Sequence, residues 1–317
     1  MKLFYLILFL LLSCTHQQAS NCLQTKMTLD IGSGTTKYYI AQVNHCQHKI
    51  IKVTAKDSFA FPFKQSLTQS NNFPQQLQQK FIVQLKKLIT KFNPDIIQSV
   101  ATSAFRTANN GKKFATTLNQ KLNLNLQIIS QKEEALLGYH AVKGIVHHSP
   151  ILYWDIGGGS MQIIQELKSG PQIYKGKIGA VSFKDLVLKQ VFHNKQTSPN
   201  PLGKKYKKTL QLAKNFAQKT LPKSFINLKL PVYGIGGVHQ YAILKNNKKN
   251  SNFYTQAELK KWLMKKSKLN NQQLGGKYAS TDVTNLALVL GFMEILKVNK
   301  VQVIPNINMA YALLYKW

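Results

Sequence analysis

Two short segments carry nearly the same string of residues suited to chemistry. Asp30-Ile31-Gly32-Ser33-Gly34 has a counterpart 125 residues later in Asp155-Ile156-Gly157-Gly158-Gly159. Each sits between apolar, strand-forming runs, so its glycines can close a tight hairpin whose backbone N–H groups face an anion. Ser33, Thr35 and Thr36 add hydroxyl donors to the first loop and Ser160 adds one to the second, while Lys37 ends the first loop with a cation. One glycine turn of this kind is ordinarily only a hairpin, but two equivalent turns, each opened by an aspartate, point to phosphate. Asp30 and Asp155 are then placed to hold Mg²⁺ directly or through water.

The charge balance narrows the chemistry further. Lys and Arg total 43 against 11 Asp and Glu, a formal charge of +32. A polyphosphate, a nucleic acid or an anionic membrane would be drawn to such a field. The lysines read as spread along the chain, and no basic stripe interleaved with aromatics is evident, so specific nucleic-acid binding is not expected. Arg106 is the only arginine. A position that keeps Arg where all others use Lys suits the planar, bidentate recognition of phosphate. There is no Gly-x-x-x-x-Gly-Lys-Ser/Thr loop, no zinc-like Cys/His spacing and no Gly-x-Ser-x-Gly elbow, and His147-His148 is too little for a metal site.

The elements that must position these residues follow from periodicity. Residues 27–30, 37–43 and 50–55 read as strands, followed by a helix with Leu77, Phe81, Leu85, Leu88, Ile89 and Phe92 on one face and a stop at Asn93-Pro94. Strand 96–102, helix 112–122, strand 126–129 and helix 131–146 complete the first half. The pattern then restarts with strands 151–155, 161–167 and 171–177. Helices 182–192 and 204–219 lead to a strand, 231–233, that enters Gly234-Ile235-Gly236-Gly237. Helix 255–266, an apolar helix 282–297 suited to burial, strand 301–304 and helix 309–315 finish the chain. The expectation is an α/β protein of two similar lobes, each a mixed β-sheet with flanking helices, over residues 27–148 and 149–317, with a cleft between them.

The first residues stand apart. Lys2 precedes an apolar run, Leu3–Leu12, too short to span a bilayer and shaped like a signal peptide over residues 1–13. Leu11-Leu12-Ser13-Cys14 looks like a bacterial lipobox, which would lipidate Cys14, leave residues 14–26 as a polar tether and place the protein on the periplasmic face of a membrane. Thr15 after Cys14 favours the outer membrane where two are present. Cys22 and Cys46 could form a disulfide or remain two thiols, and the sequence does not decide between them.

Five motifs occur in the order seen in the exopolyphosphatase and pppGpp phosphatase (Ppx/GppA) family. They are Leu29-Asp30-Ile31-Gly32-Ser33-Gly34, Ala101-Thr102-Ser103-Ala104-Phe105-Arg106, Ile129-Ser130-Gln131-Lys132-Glu133-Glu134-Ala135, Asp155-Ile156-Gly157-Gly158-Gly159-Ser160 and Gly234-Ile235-Gly236-Gly237. Ile178-Gly179-Ala180-Val181 is also similar to that family, and the match runs from about Met27 onward. The resemblance implies the actin-like ATPase fold and a Mg²⁺-dependent hydrolase of phosphoanhydrides acting on polyphosphate or a nucleotide. It also implies that Glu134 is the general base activating water, with Glu133 beside it, that Arg106 holds phosphate, that Asp30 and Asp155 lie on the metal side, and that Gly236 and Gly237 belong to the phosphate site. Three departures bear on substrate. Ser160-Met161-Gln162 replaces the usual Ser-Thr-Glu, and Gln162 instead resembles the water-orienting glutamine of the ectonucleotidase (apyrase) family. Val238-His239 replaces a threonine after the last glycine pair, offering His239 as a further phosphate contact. Asn308-Met309-Ala310-Tyr311-Ala312 replaces an Arg-Glu-Gly element. A nucleoside tri- or diphosphate hydrolase and a non-catalytic polyanion binder are the alternatives. The sequence leaves the oligomeric state open, with a dimer allowed.

Overall fold

The computed structural model describes residues 22–316 apart from 68–69, 147, 194–195, 248–250 and 277. The expected signal peptide of residues 1–13, Cys14 and His147 lie outside the described residues. The chain forms two compact units, one running to Ile128 and resuming at Met309, the other spanning Ile129–Asn308.

The first unit is built on a five-stranded sheet of order β3-β2-β1-β4-β5. β1 (Leu23–Ile31), β2 (Thr35–Asn44) and β3 (Lys49–Ala60) form an antiparallel meander, and β4 (Ile96–Ala101) and β5 (Leu126–Ile128) add in parallel. Four helices accompany them: α1 (Phe63–Ser66), α2 (Gln75–Phe92), α3 (Ser103–Thr107) and α4 (Gly111–Leu122). The core is aromatic, with Phe63 packing against Phe61, Phe73, Phe81 and Phe105 at ring separations of 4.8–5.1 Å. α2 ends where Asn93 turns left-handed at φ 39°, just before Pro94.

Two features differ from the sequence expectation. Residues 23–26 are not tether but the start of β1, paired with Ala41–Asn44, and a Cys22–Cys46 disulfide closes that end. The boundary also falls near residue 128 rather than 148. The last helix, α11 (Met309–Leu313), returns to the first unit and packs on β1, β2 and β4. Thr28 Oγ1 donates to Ala310 O at 2.7 Å, and the buried Lys26 ammonium donates to Leu314 O at 3.3 Å and Lys316 O at 2.6 Å. Burial pushes the Lys26 pKa down to about 8.

The second unit has a six-stranded sheet of order β10-β11-β9-β6-β7-β8. β6 (Leu152–Ile156), β7 (Met161–Leu167) and β8 (Gly170–Gly176) repeat the antiparallel meander, while β9 (Val232–Ile235) and β11 (Lys300–Val303) run parallel to β6. β10 (Phe253–Thr255), only three residues long, pairs antiparallel with β11. The helices are α5 (Gln131–Lys143), α6 (Ala180–Val187) continued by a π-helical turn over Leu188–Phe192, α7 (Tyr206–Thr220), α8 (Gln256–Lys266), α9 (Asn271–Leu274) and α10 (Ala279–Leu296). α10 is the one helix among the described residues long and apolar enough to cross a bilayer, but 83% of it is buried, as befits a core helix.

Candidate phosphate site

In the first unit the Asp-Ile-Gly-x-Gly string is a hairpin, closed by Gly32 N–H to Thr35 O at 3.1 Å. Two of its carbonyls point into the protein: Ser33 O accepts from Lys64 N and Gly34 O from Phe61 N, at 2.8 and 3.0 Å. The hydroxyls of Ser33 and Thr36 are buried without a hydrogen-bond partner among the described residues. Two orphaned donors beside a glycine loop are costly unless a ligand satisfies them. Asp30, 5% exposed, stands opposite Lys37 in the β1–β2 ladder, and the Lys37 ammonium lies 3.2 Å from its carboxylate. Lys37 therefore serves the aspartate, a job the sequence reading had not given it. The parallel β1–β4 pair places Ala101 beside Ile31, and Thr102 N–H donates to Ile31 O at 3.2 Å. The short helix α3, which carries the half-buried Arg106, therefore starts next to the glycine loop.

The second unit repeats the hairpin, closed by Gly157 N–H to Ser160 O at 2.9 Å. Its carbonyls are consumed by the start of α6: Gly157 O accepts from Ala180 N at 2.9 Å, and Gly158 O from Val181 N at 2.7 Å. Ser182 Oγ accepts from Gly179 N–H at 2.8 Å and donates to Gly159 O at 3.3 Å. A Cβ at Gly179 would collide with Gly157 O. The Ile178-Gly179-Ala180-Val181 stretch is thus a collar that turns the loop carbonyls inward. The N–H groups of Gly158 and Gly159 have no acceptor among the described residues, as an anion nest requires, while Ser160 N packs against Gly179. Asp155 stands opposite Gln162 in the β6–β7 ladder, at 8% and 1% exposure.

α5 is fastened to this hairpin. Gln131 Nε2 donates to Met161 O and Gly176 O, both at 3.1 Å, so the first turn of α5 sits beside the beginning of β7. That turn divides its two glutamates. Glu133 is exposed and closes a capping box, its carboxylate accepting from Ser130 N–H at 2.7 Å while Ser130 Oγ accepts from Glu133 N–H at 3.2 Å. Glu134 is 8% exposed. The structure gives Glu133 a helix-capping task and leaves Glu134 as the buried acid of the pair. Gln131 was missed by sequence reasoning because its partners are carbonyls thirty or more residues away, whereas the Ser130-x-x-Glu133 spacing is itself a readable capping signal.

Gly236 adopts φ +84°, and a Cβ there would collide with Asp155 Oδ1, so the end of β9 comes close to the carboxylate only because the residue is glycine. That cradle, formed by backbone around a buried carboxylate, fits a hard cation such as Mg²⁺, which takes one or two carboxylates and completes its shell with water and phosphate. No group of three metal-binding side chains occurs among the described residues, so an all-protein cage is not what these residues form. His239, by contrast, is fully buried, with Nδ1 at 2.7 Å from Tyr254 OH and its ring 5.1 Å from Trp154. Desolvation drives its pKa to about 3, so the ring is neutral and walled off from any phosphate.

Comparison with known proteins agrees with this construction. The sequence matches the Ppx/GppA phosphatase family over residues 39–275. The structure of the Ppx/GppA family member from Aquifex aeolicus superposes with a TM-score of 0.72 at 18% identity, covering 93% of this chain and 97% of that one. An exopolyphosphatase from Cytophaga hutchinsonii gives 0.72 at 17% identity, with 92% and 97% covered. At such identities the superpositions establish the fold, and the family match establishes membership: the chain belongs to the Ppx/GppA phosphatase family, whose members are hydrolases acting on phosphoanhydrides.

Proposed function

We propose that this protein releases terminal phosphate from polyphosphate by direct attack of water, with Glu134 as general base. The observation that carries this reading is the second hairpin, whose Gly158 and Gly159 N–H groups have no acceptor among the described residues, in the same unit as the buried Glu134, whose helix Gln131 fastens to the start of β7. Those N–H groups would bind the terminal phosphoryl oxygens and stabilise the charge that develops on them. Glu134 would take the proton as the water oxygen bonds to phosphorus and the bridging P–O bond breaks, the electron pair leaving on the shortened chain. Gln162 would orient the attacking water; in the first unit, Arg106 with the Ser33 and Thr36 hydroxyls is a further set suited to phosphoryl oxygens. Mg²⁺ would be held by Asp155 and would neutralise phosphoryl charge, Asp30 being the equivalent carboxylate of the first unit.

Gln162 opposite Asp155, where an acid is usual in the exopolyphosphatases, supports a second reading, hydrolysis of nucleoside tri- or diphosphates. Phosphate release by the purified protein from tripolyphosphate, long polyphosphate, ATP and ADP with Mg²⁺ separates the two. Faster release from polyphosphate is expected, and a clear preference for nucleotides would move the protein to the apyrase-like class.

We further propose that the protein is exported and lipid-anchored at Cys14. The Cys22–Cys46 disulfide supports an oxidising compartment. Cys14→Ser should shift the protein from the membrane to the soluble fraction, and an unchanged distribution would remove the anchor.

A further inference from the structure

The second unit gathers onto one rim lysines that lie apart along the sequence. Between Asp185 and Asp282 the chain holds a single carboxylate, Glu258, among many lysines, and Glu258 is engaged by Thr255 as a helix cap. β6, β9 and β11 are parallel, and the phosphate loop and Gly236 follow the C-terminal ends of β6 and β9. α7 leads into β9 and α10 into β11, so both helices begin at that same end. α8 starts at the opposite end, where Gln256 N–H donates to Asn299 O at 3.1 Å, and finishes at the loop end. The segment before α7 ties these ends together: Thr197 O accepts from Lys184 Nζ at 3.1 Å, Asn200 Nδ2 donates to Ala279 O at 2.8 Å, and Gly203 N–H donates to Ser267 O at 2.8 Å.

Lysines crowd this rim. Lys204, Lys205, Lys207 and Lys208 are exposed where α7 begins, a position that the helix dipole makes unfavourable for cations. Lys265 and Lys268 are exposed at the end of α8. Beside them Lys245 and Lys266 share one oxygen of Asp282, each at 3.0 Å, so a single buried carboxylate answers two ammonium groups. Crowded like charges with few acids are stabilised by an extended polyanion, which a long polyphosphate supplies and a compact nucleotide does not.

Resting on the hydrolase reading above, we propose that this lysine rim binds the distal part of a long polyphosphate chain whose end lies in the phosphate loop, making the enzyme selective for chain length. The test replaces Lys204, Lys205, Lys207 and Lys208 together by Gln, with the four-fold Arg variant as the charge-preserving control. With long polyphosphate the Gln variant should show a KM raised at least about tenfold and a log–log salt slope of binding reduced by roughly 3. Its kcat, and its KM for tripolyphosphate, should be unchanged, and the Arg variant should behave as wild type. Equal KM for long chains in wild type and Gln variant, or equal loss on both substrates, would overturn the rim. So would retention of polyphosphate binding together with loss of binding to phosphatidylglycerol vesicles, which would assign these lysines to a membrane. Failure to hydrolyse tripolyphosphate would instead sink the hydrolase reading, while direct binding of long against short chains would still decide the rim.

Discussion

The two glycine hairpins share a backbone and differ in what faces the aspartate. In both, the residue seven positions on stands opposite the aspartate in the ladder, Lys37 for Asp30 and Gln162 for Asp155. The first carboxylate is neutralised by an ammonium at 3.2 Å, whereas the second faces a neutral carboxamide. The first loop keeps two orphaned hydroxyls, whereas the second has its carbonyls tied down by α6 and a buried glutamate nearby. On the proposed function, a duplicated scaffold carries two unlike hairpins: the first offers orphaned hydroxyls and a paired aspartate, the second an aspartate facing a carboxamide. The units are also held differently, since the first carries a disulfide and the second relies on an apolar core around α10.

Changes confined to one unit sharpen that contrast. The largest expected effect is on stability: Cys22→Ser with Cys46→Ser should cost about 3 kcal/mol for a loop of this length, seen as a lower thermal midpoint. An unchanged midpoint would mean that Lys26 and the returning α11 already hold β1. Next, Gly179→Ala should lower kcat about 100-fold, because the new methyl displaces the loop that positions phosphate. Wild-type kcat in that variant would detach the collar from function. Exchanging the opposing residues probes the contrast itself. Gln162→Lys copies the first hairpin onto the second and should raise the Mg²⁺ needed for half-maximal activity about tenfold, while Lys37→Gln should shift it far less. Equal shifts would erase the distinction. The last effect, negligible at neutral pH, is a pH dependence in the second unit. His239 has a folded pKa of about 3, below its unfolded value near 6.5, so between these pH values the unfolded state binds the extra proton. Stability is therefore lost as pH falls through that window, by at most about 1.4 kcal/mol per pH unit, and a chemical-denaturation series should show a shallower slope in His239→Asn.

Much of this was legible in the sequence. The paired Asp-Ile-Gly strings, the two meanders and the buried character of α10 follow from spacing and period. Residues 23–26 were not legible, because a polar stretch containing Lys26 reads as tether until its ammonium is seen capping carbonyls near residue 315. The division between units was hidden for the same reason, since the return of α11 rests on contacts nearly three hundred residues apart in sequence. Glu133 and Glu134 are adjacent letters whose burial separates them only once α5 is fixed by Gln131. Of the lysine rim only the run Lys204–Lys208 shows along the chain, because Lys245, Lys265, Lys266 and Lys268 join it from two other elements.

The central claim is that Glu134 drives water onto a phosphoanhydride. Phosphate release and equilibrium binding of polyphosphate, measured side by side for wild type and Glu134→Gln with Mg²⁺, test it most directly. Release should fall by about 10²–10⁴ while binding stays within a few-fold, as for a lost general base. Undiminished release in Glu134→Gln would contradict the mechanism.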